Sequence, residues 1–254
     1  MQLKFMGTGT SQGIPVIGCK CEVCTSPDSQ DKRMRSSVMI TTDSGKKILI
    51  DCGPDFRQQM LTFEEDDVDA VLLTHEHNDH VIGLDDLRPV MFRNAQATKL
   101  YALERVITEI EARFPYAFSE NRYPGTPVFE NHVIEGTFPL FDCEVEPVKI
   151  LHGRLPILGY KFRNLAYLTD ASSIPEEEIA KLINLDFLIV NCIRKTEPHP
   201  SHFVLTDILE LHQKLQPKKM LLTHVSHQFG RHHAENLLLP DNITLAYDGQ
   251  EIDF

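Results

Sequence analysis

The densest group of metal-binding side chains in the sequence lies in the run His75-x-His77-x-Asp79-His80. Hydrogen bonds in an ordinary core cannot satisfy so many clustered imidazole and carboxylate groups. The interpretation of the run as a structural or solvated loop without a metal is therefore disfavoured. Alternate residues leaving a strand point to one side, and the following turn can bring Asp79 and His80 round to face them. The run therefore predicts a loop that supplies ligands to two adjacent metal ions.

A second metal-binding pattern consists of the closely spaced cysteines Cys19, Cys21 and Cys24. Three thiolates need one more ligand to complete a tetrahedral structural zinc site. His227 is the predicted fourth ligand, because it follows the histidine of a Leu-Thr-His strand end by three residues. Exposure of His227 to solvent is the alternative, and the other candidates for the fourth position are His232 and His233.

The composition limits the classes of protein to which the chain can belong. A chain of 254 residues with 42% hydrophobic and 24% charged residues predicts one folded domain over residues 1–254. The net charge of −12, with Lys and Arg dispersed, disfavours nucleic acid as a partner. The sequence leaves the oligomeric state open, with a homodimer as one option. Six cysteines without a leader do not indicate a disulfide framework. Without a long apolar run, the chain is expected to be cytoplasmic and to have no membrane partner.

The elements that must position these ligands alternate between strands and helices. Strands are predicted at residues 3–6, 38–42, 47–50, 70–73, 144–150, 160–162, 165–168, 187–190 and 219–222. Helical spacing covers residues 81–91, 104–112, 175–182 and 207–215. Prolines and a glycine interrupt residues 113–131, which predicts an irregular, lid-like excursion. The pattern predicts an α/β fold in which two sheets are sandwiched between helices.

The run from His75 to His80 resembles the signature of the metallo-β-lactamase superfamily, whose fold is an αββα sandwich of two mixed β-sheets flanked by helices. The resemblance implies further ligands at the ends of later strands. His152, Asp170 and His224 occupy such positions, although each alone could be a helix cap or a satisfied core residue. Asp51 also matches a superfamily position and is interpreted as a residue that orients a ligand or the loop.

The same resemblance implies how the ligands divide between two ions. His75, His77 and His152 would hold the first ion, Asp79, His80 and His224 the second, and Asp170 would bridge them. Nitrogen and oxygen ligands suit Zn, Mn or Fe and do not distinguish between them. Two such ions about 3.5–4 Å apart can hold the attacking and leaving oxygens of an in-line displacement, which suits phosphoester hydrolysis.

Further motifs narrow the resemblance to the PhnP-like phosphodiesterases of phosphonate utilisation. They are Pro-x-x-Gly-Cys-x-Cys-x2-Cys from Pro15 to Cys24, Leu-Thr-His-x-Ser-His-Gln-Phe ending at Phe229, and Asp248-Gly-x-Glu-Ile. The resemblance implies hydrolysis of a small phosphodiester such as a phosphoribosyl 1,2-cyclic phosphate. It implies catalytic roles for Asp79 and for His202, the latter as proton donor to the leaving oxygen, with a surface histidine as the alternative.

Two other functions use the same superfamily signature. A tRNA 3′-end nuclease would carry a long basic arm for its substrate, and the acidic chain has none. A non-hydrolytic member acting in cofactor biosynthesis would be expected to lack part of the ligand set, which is complete here. Thioesterase and lactonase activities remain open, because an activated water also attacks acyl carbons. Arg88 is expected to pair with Asp85 or Asp86 rather than with phosphate.

Overall fold

The computed structural model describes residues 1–254, and its strands form two sheets of seven. In spatial order the first sheet contains β14 (Glu251–Asp253), β1 (Gln2–Gly7), β2 (Ser37–Thr41), β3 (Lys47–Ile50), β4 (Ala70–Leu72), β5 (Thr98–Ala102) and β6 (Phe129–Val133). The second contains β13 (Ile243–Leu245), β12 (Lys219–Thr223), β11 (Phe187–Asn191), β10 (Leu165–Leu168), β9 (Leu155–Phe162), β8 (Cys143–His152) and β7 (Phe138–Leu140).

Eight α-helices connect the strands: α1 (Phe56–Thr62), α2 (Asn78–Val81), α3 (Arg88–Asn94), α4 (Glu104–Arg113), α5 (Pro115–Phe118), α6 (Glu176–Ile179), α7 (Leu205–Leu215) and α8 (His232–Asn236). Short 3-10 turns occupy Ser29–Asp31, Ile82–Leu87 and Ala180–Leu182. No helix is both long and apolar enough to cross a membrane.

Both sheets are mixed. In the first sheet, β3, β4, β5 and β6 run parallel while β14, β1, β2 and β3 alternate in direction. In the second, β10 to β13 run parallel while β7 to β10 alternate. This architecture confirms the predicted αββα sandwich.

Alternation of apolar side chains along the strands builds three packed layers. In β3, Ile48 and Ile50 face the second sheet, whereas Leu49 faces the helices that cover the first sheet. The same division occurs in β10, where Tyr167 packs between the sheets and Leu168 packs against the outer helices. Strands buried on both faces require near-continuous apolar runs, which is the pattern that the sequence shows.

The two sheets are also joined by hydrogen bonds near the carboxyl end of β4. The hydroxyl of Tyr160 in β9 donates to the carbonyl of Leu73 at 2.6 Å. The amide of Leu158 donates to the carbonyl of Thr74 at 3.1 Å. These bonds fix the start of the His75 loop against the second sheet.

The structure departs from the predicted elements mainly at the sheet edges. Strands β5, β6, β7, β13 and β14 were not predicted, because they are short, polar in part or interrupted by proline and so give little period-2 signal. The helix predicted at 81–91 is broken into α2, a 3-10 turn and α3. The segment 113–131 contains α5 and the start of β6, with an irregular stretch between them.

Close backbone contact between two loops should make Gly83 intolerant of a side chain. A Cβ atom at Gly83 would lie 2.0 Å from the carbonyl oxygen of Gly53, whose loop follows β3. We expect Gly83→Ala to lower the free energy of unfolding by roughly 1–3 kcal/mol in denaturant titrations, because overpacking forces the backbone apart. Gly136→Ala is the control, since nothing lies within 4 Å of its Cβ position. Equal stability of the two variants would contradict the described packing.

Candidate metal centres

The strand ends bring the predicted ligands to one edge of the sandwich. Asp51 follows β3, and the His75 loop follows β4 in the same direction. His152 ends β8, which runs in the direction of β10 and β12, and Asp170 and His224 follow those two strands. Side chains separated by about 150 residues in sequence therefore meet in one pocket of about 450 Å³.

Three of these strand-end residues have a left-handed backbone conformation. The φ angles are +63° for Asp51, +58° for Asp170 and +51° for His224. Residues other than glycine rarely adopt this conformation, and such outliers concentrate at functional sites. The sharp turn at each strand end directs these side chains into the cluster.

Several histidines are held by Nδ1 so that Nε2 is left for a metal ion. His80 Nδ1 donates to the Asp51 carboxylate at 2.7 Å. His75 Nδ1 donates to the hydroxyl of Thr74 at 2.9 Å, and that hydroxyl donates to Asp51 at 2.8 Å. His152 Nδ1 lies 2.9 Å from the carbonyl of Asp170. Hydrogen bonding of the non-ligating nitrogen is how proteins orient metal-binding histidines.

The opposite nitrogens converge on Asp170. Nε2 of His75 and Nε2 of His80 are buried without a hydrogen-bond partner. His80 Nε2 lies 3.2 Å from Asp79 and 3.3 Å from Asp170, and His224 Nδ1 lies 3.3 Å from the same Asp170 oxygen. The ligand atoms of His75, His77 and His152 lie within 4.8 Å of one another. Unpartnered buried nitrogens beside carboxylates fit divalent metal ions.

The predicted division of ligands is only partly visible in these distances. The first set, His75, His77 and His152, is together. In the second set, His80 contacts both Asp79 and Asp170, whereas His224 contacts Asp170 and lies 3.2 Å from the Ser36 hydroxyl. The central position of Asp170 between the sets is the one expected of a bridging ligand.

The electrostatic environment favours the ligating protonation state of some of these residues but not of His80. Burial would lower the pKa of His80, but Asp170, Asp51 and Asp79 raise it well above its ordinary value. Burial lowers the pKa of His75 well below its ordinary value and lowers the pKa of His224 to about 4. Burial would raise the pKa of Asp170, but His224 and His80 outweigh that effect and hold it well below its ordinary value. His75 and His224 are therefore neutral and Asp170 is ionised at pH 7, as ligation requires.

The remaining predicted residue of the pocket, His202, lies beside the bridging position. Its Nε2 is 3.1 Å from Asp170, and its Nδ1 is 3.0 Å from Nδ1 of His199. His199 is half-buried and lines the pocket. The residues near His199 show no characteristic spacing in the sequence. Thr74, Ser36 and Arg194 were not predicted as site residues for the same reason. Arg88 pairs with Asp85, as predicted, outside this pocket.

The cysteine cluster forms a separate centre that shares a wall with the pocket. Nδ1 of His227 lies 3.4 Å from Sγ of Cys19 and 3.3 Å from Sγ of Cys21, and the four ligand atoms, including Sγ of Cys24, lie within 4.8 Å of one another. A tetrahedron with Zn–S of about 2.3 Å and Zn–N of about 2.0–2.1 Å has N···S edges of roughly 3.6 Å, so these residues fit zinc. His232 instead contacts Arg33 and Asn236.

The thiols of this centre differ in acidity. A hydrogen bond from the backbone N–H of Cys24, together with His227, lowers the pKa of Cys21 to about 6. Burial raises the pKa of Cys24 to about 11. Cys21 is therefore a thiolate at neutral pH. Of the three cysteines outside this centre, Cys52 and Cys192 are buried whereas Cys143 is partly exposed.

Comparison with known proteins agrees with this geometry. The family model of the β-lactamase superfamily domain matches residues 46–225. The chain is 45% identical over 253 residues to a Porphyromonas gingivalis protein named octanoyltransferase, covering 99% of this chain and 51% of that protein. The chain thus spans about half the length of this relative.

Solved structures include a diphosphatase from the PhnP family, which matches with a TM-score of 0.92 and 39% identity over 100% of this chain and 97% of that chain. Zn(2+)-bound PqqB from Methylobacterium extorquens matches with a TM-score of 0.80 and 18% identity over all of both chains, which shows a shared fold. The chain therefore belongs to the metallo-β-lactamase superfamily and is a PhnP-like member of it.

Proposed function

We propose that this chain is a metal-dependent phosphodiesterase that hydrolyses a small phosphodiester, with a phosphoribosyl 1,2-cyclic phosphate as the model substrate. The observation that carries the proposal is the convergence of imidazoles on Asp170, with unpartnered Nε2 atoms on His75 and His80. The similarity to a PhnP-family diphosphatase supports phosphorus rather than carbon as the site of attack.

Seven residues would hold two divalent ions, Zn or Mn: His77, Asp79, His152, Asp170 and His224, which line the pocket, and His75 and His80, which are fully buried beside it. Such ions supply an activated water and neutralise charge at the phosphate. Asp51 and Thr74 keep His80 and His75 in the orientation that presents Nε2 to the pocket. Cys19, Cys21, Cys24 and His227 would hold one structural zinc.

His202 is the proposed proton donor to the leaving oxygen. Its Nε2 faces the pocket beside Asp170, and the neighbouring hydroxyl of Ser201 lies 3.2 Å from its Nδ1. A histidine can hold a proton at neutral pH and release it as the phosphorus–oxygen bond breaks. Ligation is the competing role, because the ligand atoms of His152, Asp170 and His202 also lie within 4.8 Å of one another.

Acyl chemistry is the second candidate function. The relative named octanoyltransferase is about twice as long as this chain, so its acyl transfer could belong to either half. A medium-chain thioester assayed beside the phosphodiesters separates the two candidates. Turnover of the thioester at a higher kcat/KM than any phosphodiester would replace the proposal.

The structural zinc can be tested by metal content. We expect about three bound metals per chain by elemental analysis and about two in Cys21→Ser, with a lower Tm because a structural metal contributes to folding. Cys143→Ser is the control, since Cys143 lies outside the cysteine cluster. Full zinc content in Cys21→Ser would refute the Cys3His assignment.

The bridging role of Asp170 predicts a loss of activity larger than the loss of stability. Asp170→Asn should lower kcat/KM for bis(p-nitrophenyl) phosphate by more than about 100-fold. Loss of a residue that only supports a metal ligand lowers activity by up to about 100-fold. Asp186→Asn, which removes a partly exposed carboxylate paired with Lys218 outside the pocket, should leave activity unchanged. The wild type should prefer this diester to p-nitrophenyl phosphate, and preference for the monoester would refute a phosphodiesterase.

The two roles considered for His202, proton donor and metal ligand, can be distinguished by the leaving group of the substrate. His202→Ala should slow hydrolysis of a ribose cyclic phosphate by about 100- to 10,000-fold, because a sugar alkoxide needs a proton to depart. Hydrolysis of bis(p-nitrophenyl) phosphate should fall much less, since p-nitrophenolate departs unassisted. His233→Ala removes an exposed imidazole and serves as the control. Equal losses on both substrates, with loss of bound metal, would identify His202 as a ligand instead.

A further inference from the structure

One of the predicted histidine ligands, His77, lacks the hydrogen bond that orients others of the set. His75, His80 and His152 are each held through Nδ1. The imidazole of His77 has no hydrogen-bond partner in the protein and is exposed. Its ring centroid lies 5.2 Å from that of His152. The backbone at Glu76 and His77 must therefore set where this imidazole lies.

Two arginines of α4 hold that backbone from outside the pocket. Nη1 of Arg113 donates to the main-chain carbonyl of Glu76 at 2.7 Å, and Nη1 of Arg105 donates to the Glu76 carboxylate. Residues eight apart lie on one stripe of a helix, about two turns from each other. The helix is a firm base for both, because Val106 and Ile110 are fully buried in the layer that covers the first sheet.

Arg105 also joins the metal-binding loop to the opposite sheet. Its Nη2 donates to the carbonyl of Pro156 at 2.7 Å. Pro156 pairs with Leu151 between β8 and β9, and His152 is the next residue after Leu151. One guanidinium therefore contacts both the loop that carries His77 and the hairpin that carries His152.

The carboxylate of Glu76 depends on Arg105. Oε1 of Glu76 accepts from Arg105, whereas Oε2 is buried without a hydrogen-bond partner. The Glu76 side chain is 17% exposed, and no other cation pairs with it. A carboxylate with so little access to water is costly to leave unpaired, so Glu76 and Arg105 keep each other in place. A shift of the loop between His75 and His77 would break this pair.

We propose that Arg105 and Arg113 are positioning residues that hold His77 beside His152 and thereby set the affinity of the first predicted metal position. The inference rests on the two-ion centre of the proposed function. Neither arginine lines the pocket, so both act through His77 rather than through the substrate. Loss of a residue that orients a metal ligand lowers metal affinity by about 10- to 100-fold.

Zinc affinity tests the proposal separately from catalysis. Metal-loaded protein is equilibrated with zinc buffered by a chelator, and bound zinc is counted at each free zinc concentration. Of the three ions expected in the wild type, Arg113→Gln should bind one about 10- to 100-fold more weakly and the other two unchanged. Arg105→Gln should weaken the same single ion. Arg113→Lys can still donate to the Glu76 carbonyl and should restore most of the affinity.

A matched control is Arg122→Gln, because Arg122 also donates to a main-chain carbonyl, that of Ala117, but does not contact the metal-binding loop. It should leave all three zinc affinities unchanged. Arg105→Lys can keep only one of the two contacts made by the guanidinium and should have an intermediate affinity. Tm is measured for every variant. If Arg113→Gln does not fold, the variants of Arg105, whose side chain is 37% exposed, decide.

Rescue by metal distinguishes positioning from a general structural role. At limiting free zinc, Arg113→Gln should hydrolyse bis(p-nitrophenyl) phosphate more slowly than the wild type. Raising free zinc by the same factor of about 10 to 100 should bring its kcat to within about threefold of the wild-type value. A loss of activity that excess zinc does not restore would identify a structural role and overturn the proposal.

The proposal and the proposed function fail differently. If the wild type holds only the zinc of the cysteine cluster, the two-ion centre is wrong. If it holds three ions but cleaves no phosphodiester, the proposed function is wrong, while the zinc titrations still test the arginines. If Arg105→Gln and Arg113→Gln keep all three zinc affinities, or lose all three alike, the two arginines do not position His77.

Discussion

The arrangement of the molecule depends on the buried carboxylate of Asp170. One of its oxygens lies 3.3 Å from both His80 and His224, and the other lies 3.1 Å from His202. A buried carboxylate is costly unless it is paired, and a ring of imidazoles is costly unless it meets negative charge or a cation. Each group thus compensates the burial of the others, and divalent ions would compensate all of them.

The sandwich places this cluster through the direction of its strands. Strands that run the same way end at the same edge, so the residues that follow β3, β4, β10 and β12 share a rim with His152 at the end of β8. Asp51 and Thr74 add a buried layer of hydrogen bonds behind His75 and His80. The hydrogen bonds from β9 to Leu73 and Thr74 lock that layer to the opposite sheet. The precision of the site therefore comes from the sheets, and the loops supply its side chains.

The sequence predicted the centre of the site better than its periphery. His75 could be identified from the dense cluster of metal-binding side chains around it, and Asp170 and His224 because the resemblance to the superfamily implies ligands at the ends of later strands. Arg194 and His199 could not, because a single arginine or histidine has no spacing that distinguishes a pocket from a surface. The central strands were predicted from their apolar runs, whereas β6 and β7 depend on pairing with neighbours that local periodicity does not show.

The cysteine centre and the histidine pocket share the segment after β12. His224 faces Asp170, and His227 faces Cys19 and Cys21 while also lining the pocket. A zinc ion at the thiolates would therefore brace one wall of the proposed active site.

The central claim is that two ions occupy the pocket on either side of Asp170. Anomalous diffraction from crystals of the metal-loaded protein tests it most directly. The account predicts two anomalous peaks flanking the Asp170 carboxylate and a third within the cysteine cluster, whereas one peak or none beside Asp170 would contradict it.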